Sequence, residues 1–203
     1  MNRLRLHADM GFAERNSRLL LFSVLFAFSV DSLQGGIGAT KYVSVNGSDN
    51  NPGAQNAPWK TIQKAANTAA PGTTVYVEPG TYHEKVVINV SGSEVEGFTT
   101  FQANGSVVLS GTGVPGANMF YLNRRSYIRI IGFDIRDNTG VNTGAGIWID
   151  ESGHHLEIRE NRIHEIRGND AMGIAVYGRS ADAPISDLII EGNEIFDCDA
   201  ARS

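Results

Sequence analysis

The chain has 203 residues, enough for one domain with a real core. Charged residues make up 19%, which excludes a disordered composition, and the formal net charge of −5 argues against nucleic acid as a partner. The single cysteine, Cys198, excludes an intrachain disulfide and reads as a small buried hydrophobe.

Residues 1–39 read as a secretory signal. Arg15 and Arg18 precede the apolar run Leu19 to Val30, which is too short to span a bilayer comfortably. Gly35, Gly36, Gly38 and Ala39 supply small residues for cleavage, and Met10 offers an alternative start. A retained signal anchor and a buried core helix are the other readings of this run. The signal reading predicts a secreted or cell-surface protein with no membrane contact after cleavage.

Residues 40–80 read as an N-terminal cap with a first coil. Tyr42 to Val45 alternates as a strand, and Asn46 to Gly53 is rich in turn residues. Trp59 to Ala70 predicts a helix, with Ile62, Ala65, Ala66 and Ala69 on one face and Pro71-Gly72 as its stop. Thr74 to Val77 predicts the next strand, followed by a turn at Pro79-Gly80 and a strand through Val86 to Ile88.

From residue 81 to 203 no helical period appears, only short apolar alternations between Gly, Asn, Asp and Ser. Leu156-Glu157-Ile158-Arg159-Glu160-Asn161-Arg162-Ile163 returns as Leu188-Ile189-Ile190-Glu191-Gly192-Asn193-Glu194-Ile195, with a looser copy starting at Ile128. The offsets are 28 residues (128 to 156) and 32 (156 to 188). Gly146-Ile147-Trp148-Ile149 and Gly173-Ile174-Ala175-Val176 repeat out of phase with that set. Two β-like segments recurring at one period predict stacked coils, an all-β parallel solenoid. Ile128, Ile130, Leu156, Ile158, Leu188 and Ile190 are the expected inward files, and Asn161 and Asn193 the expected structural ladder. Glycines 132, 146, 153, 168, 173 and 178 suit corners with positive φ. The helix and first strand would close the N-terminal end of the stack. No equivalent closes the other end, so the C-terminus reads as uncapped and the chain as part of a longer solenoid.

The order Tyr42-Val43-Ser44-Val45-Asn46-Gly47-Ser48-Asp49, Ala57-Pro58-Trp59-Lys60-Thr61-Ile62, Pro71-Gly72-Thr73-Thr74-Val75-Tyr76-Val77 and Pro79-Gly80-Thr81-Tyr82 resembles the opening segment of secreted right-handed parallel β-helix proteins. That group includes family 9 pectate lyases and related alginate and chondroitin lyases. The resemblance implies a right-handed, three-strand coil, a carbohydrate ligand and Ca2+ as a possible cofactor. In the family 9 lyases, aspartates on successive coils hold calcium and a later lysine removes the proton. The first of those strands is similar to Met172-Gly173-Ile174, so Met172 stands where an aspartate is expected. The remaining positions would fall beyond Ser203, and the lyase constellation is absent from this stretch.

If Ile147 and Ile149 point inward, Trp148 and Asp150 point outward, with Ala175 and Tyr177 above them. Trp148 and Tyr177 would then form an aromatic step for a sugar ring, or pack against a neighbouring loop. Trp148, Asp150, Tyr177 and Arg179 are the candidate substrate-binding residues, and Asp150 with Asp170 the candidate metal ligands. Solvated surface charge is the competing account of Asp150, Glu151, Asp170 and Arg179. His154 and His155 should point opposite ways and His164 outward, and none has the spacing of a zinc site. Arg159, Glu160, Arg162, Glu165 and Arg167 read as a solubilising face. The expected partner is an acidic polysaccharide, and a C-terminally completed chain should be monomeric. The function expected is that of a pectate-lyase-like protein acting on uronic-acid glycans, its catalytic part missing from this stretch. The alternative is a non-catalytic surface β-helix that binds glycan or protein.

Overall fold

The computed structural model describes residues 38–139 and 142–200, so the expected signal segment, apart from Gly38 and Ala39, lies outside the described residues. Strand β1 (Thr40–Val43) and helix α1 (Ile62–Thr68) come first. A first coil follows with β2 (Thr74–Val77), β3 (Gly80–His83) and β4 (Val86–Ile88). The second has β5 (Thr99–Ala103), β6 (Val107–Ser110) and β7 (Phe120–Asn123). The third has β8 (Ile128–Ile131), β9 (Asp134–Arg136) and β10 (Thr143–Glu151). The fourth has β11 (Gly153–Arg159), β12 (Arg162–Ile163), β13 (Ile166–Gly168) and β14 (Asp170–Gly178). A further coil starts with β15 (Ile185–Glu191), β16 (Glu194–Ile195) and β17 (Cys198–Ala200).

Every strand pairs in parallel with its counterpart one coil away, forming three main sheets: β1-β2-β5-β8-β11-β15, β4-β7-β10-β14 and β3-β6-β9-β12-β16. This is a right-handed parallel β-helix of about four turns. The repeat is the register itself. Ile128, Leu156 and Leu188 are partners, as are Ile130, Ile158 and Ile190. Ile128, Ile130, Leu156 and Ile158 are fully buried because the period of two sends them inward and each coil covers the next. Ile190, on the last described coil, is 46% exposed.

The helix is shorter than its apolar pattern predicts. Thr61 is its N-cap, with Oγ1 accepting the Lys64 amide at 3.0 Å, and Ala69 has already left helical φ/ψ. Trp59 instead extends toward β1 by a parallel bridge to Val43. Two carboxylates hold the helix start: Asp49 Oδ1 accepts the Lys60 and Thr61 amides, both at 2.9 Å, and Glu84 accepts those of Ile62 (3.0 Å) and Gln63 (2.9 Å). Burial raises the Glu84 carboxyl above its usual range, and those amides pull it the other way. Ile62, Ala65 and Ala66 are buried, so the helix covers the first coil as the sequence predicts.

Other expectations change. Gly146 and Gly173 sit inside strands, not at corners. A Cβ on Gly146 would meet Ile163 Cγ2 at 2.4 Å, and one on Gly173 would meet Ile195 Cγ2 at 2.4 Å. Their bare Cα lets neighbouring sheets approach. Positive φ falls instead on many residues with side chains: Tyr127, and His155 and Asp187 near the starts of β11 and β15 (φ 56, 54 and 49°), and Asp137, Glu165 and Asp197 (φ 59, 54 and 48°). The three arginines read as part of a solubilising face form ion pairs between coils. Arg162 pairs with Glu194 (3.3 Å), and Arg159 and Arg167 with Glu191 and Asp199; Glu157 pairs with Arg129 of the preceding coil (2.9 Å) and, within its own strand, with Arg159 (2.8 Å).

The asparagine ladder is present. Asn161 Oδ1 accepts the Phe133 amide at 3.0 Å, and Asn161 Nδ2 donates to the Ile130 carbonyl at 3.0 Å. Asn193 repeats the pattern one coil on, accepting the Asn161 amide (3.0 Å) and donating to the Ile158 carbonyl (2.8 Å).

Candidate functional site

The candidate residues lie on the outer face of the four-stranded sheet. Parallel register builds two outward rows there. Val87, Tyr121, Trp148 and Ala175 form one, and Asn123, Asp150 and Tyr177 the other. Ile147 and Ile149 are buried, as the alternation requires.

Trp148 and Tyr177 stack, with centroids 4.9 Å apart and planes 15° apart. They are not register partners. Ala175 lies directly beyond Trp148 and is only 4% exposed, because its single methyl leaves room for Tyr177 to lean across. The indole Nε1 of Trp148 is buried without a hydrogen-bond partner.

Asp150 points outward yet is only 7% exposed. Arg179 covers it, donating from Nε to Oδ1 at 2.7 Å and from a terminal nitrogen to Oδ2 at 3.3 Å. Tyr121 donates its hydroxyl to Oδ2 at 3.2 Å, and the Glu151 amide donates to Oδ1 at 3.0 Å. Asn123 Nδ2 in turn donates to the Tyr121 hydroxyl at 2.9 Å. The guanidinium of Arg179 holds the Asp150 carboxyl below the ordinary aspartate range; burial opposes it and the Glu151 amide assists.

Beyond this pair lies a polar cavity of about 390 Å³, lined by Arg124, Glu151, Ser152, Ser180 and Ala183. Glu151 sits between two cations, 3.6 Å from Arg124 and 3.6 Å from Arg179. A second cavity of about 300 Å³, with Lys85, Asn118 and Tyr121 in its lining, occupies the other end of the face. The face therefore runs from Lys85 past Tyr121 and the stacked rings to Arg179 and Arg124.

The four predicted binding residues, Trp148, Asp150, Tyr177 and Arg179, are brought together. The predicted metal pair is not. Asp150 pairs with Tyr177 and Asp170 with Thr143, so the two carboxylates are seven residues apart along the sheet (170 to 177), about 23 Å at ~3.3 Å per residue. Asp170 accepts from Thr143 Oγ1 at 3.1 Å, and both oxygens of Asp150 already have donors. Among the described residues, no three His, Cys, Asp or Glu side chains converge on a metal position. Asp150 and Asp170 do not fit a shared calcium ion.

The histidines also differ from expectation. His155 takes positive φ, which breaks the strand alternation and brings its Nδ1 2.9 Å from that of His154. His164 is buried, not solvated. Phe196 of the next coil stacks on it (4.7 Å, 6°), Asp134 Oδ1 lies 3.0 Å from Nε2, and Glu165 lies 3.4 Å from Nδ1.

Tyr121, Asn123 and Arg124 were not anticipated. A signal existed: Phe120-Tyr121-Leu122 alternates as Ile147-Trp148-Ile149 does, 27 residues later (121 to 148), and the two are register partners.

A family model described as "Pel9A-like, right handed beta helix region" matches residues 41–203. The chain belongs to that family. The uncharacterized protein YwoF of Bacillus subtilis (strain 168) is 35% identical over 159 residues, covering 73% of this chain and 34% of that protein. Pectate lyase PEL9 of Emericella nidulans is 35% identical over 83 residues, 39% of this chain and 20% of that protein. The chain therefore spans about a third or less of the curated relatives it matches. Among solved structures, a lacto-N-biosidase of Eubacterium ramulus superposes with a TM-score of 0.63 at 17% identity, over 78% of this chain and 34% of that one. That likeness is one of fold alone, and function has to be argued from the site.

Proposed function

We propose that this Pel9A-like β-helix belongs to a secreted, polysaccharide-active protein and that its four-stranded sheet face binds acidic, uronic-acid glycans. The observation that carries the reading is the Trp148–Tyr177 stack set beside Arg179 and Arg124. A pyranose ring offers an apolar C–H face to an aromatic surface, and a uronate adds one carboxylate for a guanidinium. Kinship with a pectate lyase supports the substrate class. Secretion rests on the apolar run Leu19 to Val30 behind Arg15 and Arg18.

Elimination from a uronide needs a neutralised C6 carboxylate, a base for the C5 proton and an acid for the leaving oxygen. This face supplies recognition and charge neutralisation. Arg124, 70% exposed and held only at 3.6 Å by Glu151, takes the neutralising role that calcium at Asp150 and Asp170 was expected to fill, and Arg179, bound to Asp150, flanks it. Asp150 orients Arg179 and Tyr121 and is not assigned the proton transfer.

A second reading, binding without turnover, is supported by Met172, which pairs with Ala145 where a carboxylate would be needed. Incubation of the full protein with pectate, alginate and chondroitin separates the two. Unsaturated products on any of them support the lyase reading. Saturable binding without products supports the second, and no binding to any refutes both.

A further inference from the structure

We propose that a different face, the outer side of the six-stranded sheet, carries a second carbohydrate site that takes a neutral sugar ring. Thr99, Ile128, Leu156 and Leu188 are successive register partners. The residues just before them, Phe98, Tyr127, His155 and Asp187, therefore form one file along the stack. Tyr127, His155 and Asp187 share a positive φ, which turns all three side chains to the same side. Phe98 meets Tyr127 edge-on at 5.7 Å, Tyr127 stacks on His155 at 4.6 Å and 14°, and His155 Nδ1 lies 3.8 Å from Asp187. These contacts fix the file as a continuous wall.

The neighbouring outward file is Arg129, Glu157 and Ile189. A cavity of about 380 Å³ lies beside the two files, lined by Phe98, His155, Glu157, Asp187, Leu188 and Ile189. That size lies within the range of small-ligand pockets, roughly 300–1,000 Å³. Its lining is amphipathic. Phe98 and Ile189, which the register places in the outward file, give an apolar surface for ring C–H groups. Glu157 and Asp187 are acceptors for sugar hydroxyls.

Charge selects the class of sugar. Both arginines near this lining are engaged: Arg129 binds Glu157 at 2.9 Å and lies 3.8 Å over Phe98, and Arg159 binds Glu157 at 2.8 Å. Asp187 adds an anion whose Oδ2 accepts from Ser186 at 3.0 Å. A uronate would meet two carboxylates and no free cation, whereas a neutral, hydroxyl-rich ring meets acceptors and apolar surface. The inference does not depend on the Trp148 face, which lies on another sheet.

The test is an NMR titration of the full protein with galactotetraose, xylotetraose, cellotetraose and trigalacturonate, following the ring protons of His155 and Tyr127. At least one neutral tetrasaccharide should shift them saturably while leaving Trp148 fluorescence unchanged. Ile189→Glu, at an outward-facing position, should weaken that binding at least about tenfold with an unchanged melting temperature. Asp187→Asn should weaken it as well. The proposal fails if no neutral tetrasaccharide gives a saturable shift, if Ile189→Glu binds as the parent does, or if only trigalacturonate moves these signals.

Discussion

The indole of Trp148 stacks on Tyr177 of the next coil, 4.9 Å away, although its register partner is Ala175. The stack exists because Ala175 is small. Ala175→Val should push Tyr177 away and abolish the coupled aromatic signal in near-ultraviolet circular dichroism. The accompanying loss of stability should be about 0.5–1.5 kcal/mol, the worth of an aromatic pair. Retention of that signal in the variant would show that the small residue is not what permits the stack.

The Asp150–Arg179 pair makes stability depend on pH with a definite sign. An acid whose folded pKa lies below its unfolded one binds its proton less well when folded, so folding is favoured where the group is ionised. Arg179 lowers the Asp150 carboxyl from the ordinary value of 3.8, so this contribution is complete above that pH and is lost as pH falls through the lowered folded value. Urea denaturation at a series of acidic pH values should show a steeper acid loss for the parent than for Arg179→Ala. At neutral pH the variant should be only modestly less stable, because the guanidinium is half-exposed and screened by solvent. Parallel pH profiles for the two proteins would rule the pair out as the source.

Asn161 is buried and joins three coils through its side chain, so Asn161→Ala strands the Phe133 amide and the Ile130 carbonyl. Two buried groups left without partners should cost about 1–3 kcal/mol each at most. Asn193→Ala should cost less, since Asn193 is only partly buried. Chemical denaturation of both variants checks the order, and equal losses would contradict it.

Gly146→Ala tests the steric reading of the mid-strand glycines. The new methyl would lie 2.4 Å from Ile163 Cγ2 and 2.8 Å from the Gly173 carbonyl oxygen. Overpacking of this kind costs about 1–3 kcal/mol. A lowered denaturation midpoint is expected, and an unchanged one would mean the sheets can part at no cost.

These residues also mark how far the sequence could be read. The inward files at Ile128, Leu156 and Leu188 and the asparagine ladder were legible, because a strict repeat maps directly onto register. So was the outward placement of Trp148 and Asp150, which needs only the period of two. Alternation fails where a strand is kinked, and the positive φ of His155 within β11 brought two adjacent rings together in a way that period cannot foresee. Burial of His164 depended on Phe196, which lies one coil away in space and 32 residues on in sequence (164 to 196). The distance between Asp150 and Asp170 was hidden for a related reason: membership of neighbouring strands says nothing about position along them until the register is known. Gly146 looked like a corner because composition does not separate a glycine needed for φ from one needed for close approach.

The central claim is that Trp148 and the arginines beside it bind uronic-acid glycan. Its most direct test is a fluorescence titration with trigalacturonate, since the other tryptophan, Trp59, is buried beside β1. The account predicts a saturable change in the parent that chelation of calcium does not alter, and its loss in both Trp148→Phe and Trp148→Ala, with calorimetric binding much weakened in Trp148→Ala and Arg179→Ala. Undiminished calorimetric affinity in Trp148→Ala, or binding in the parent that requires calcium, would contradict it.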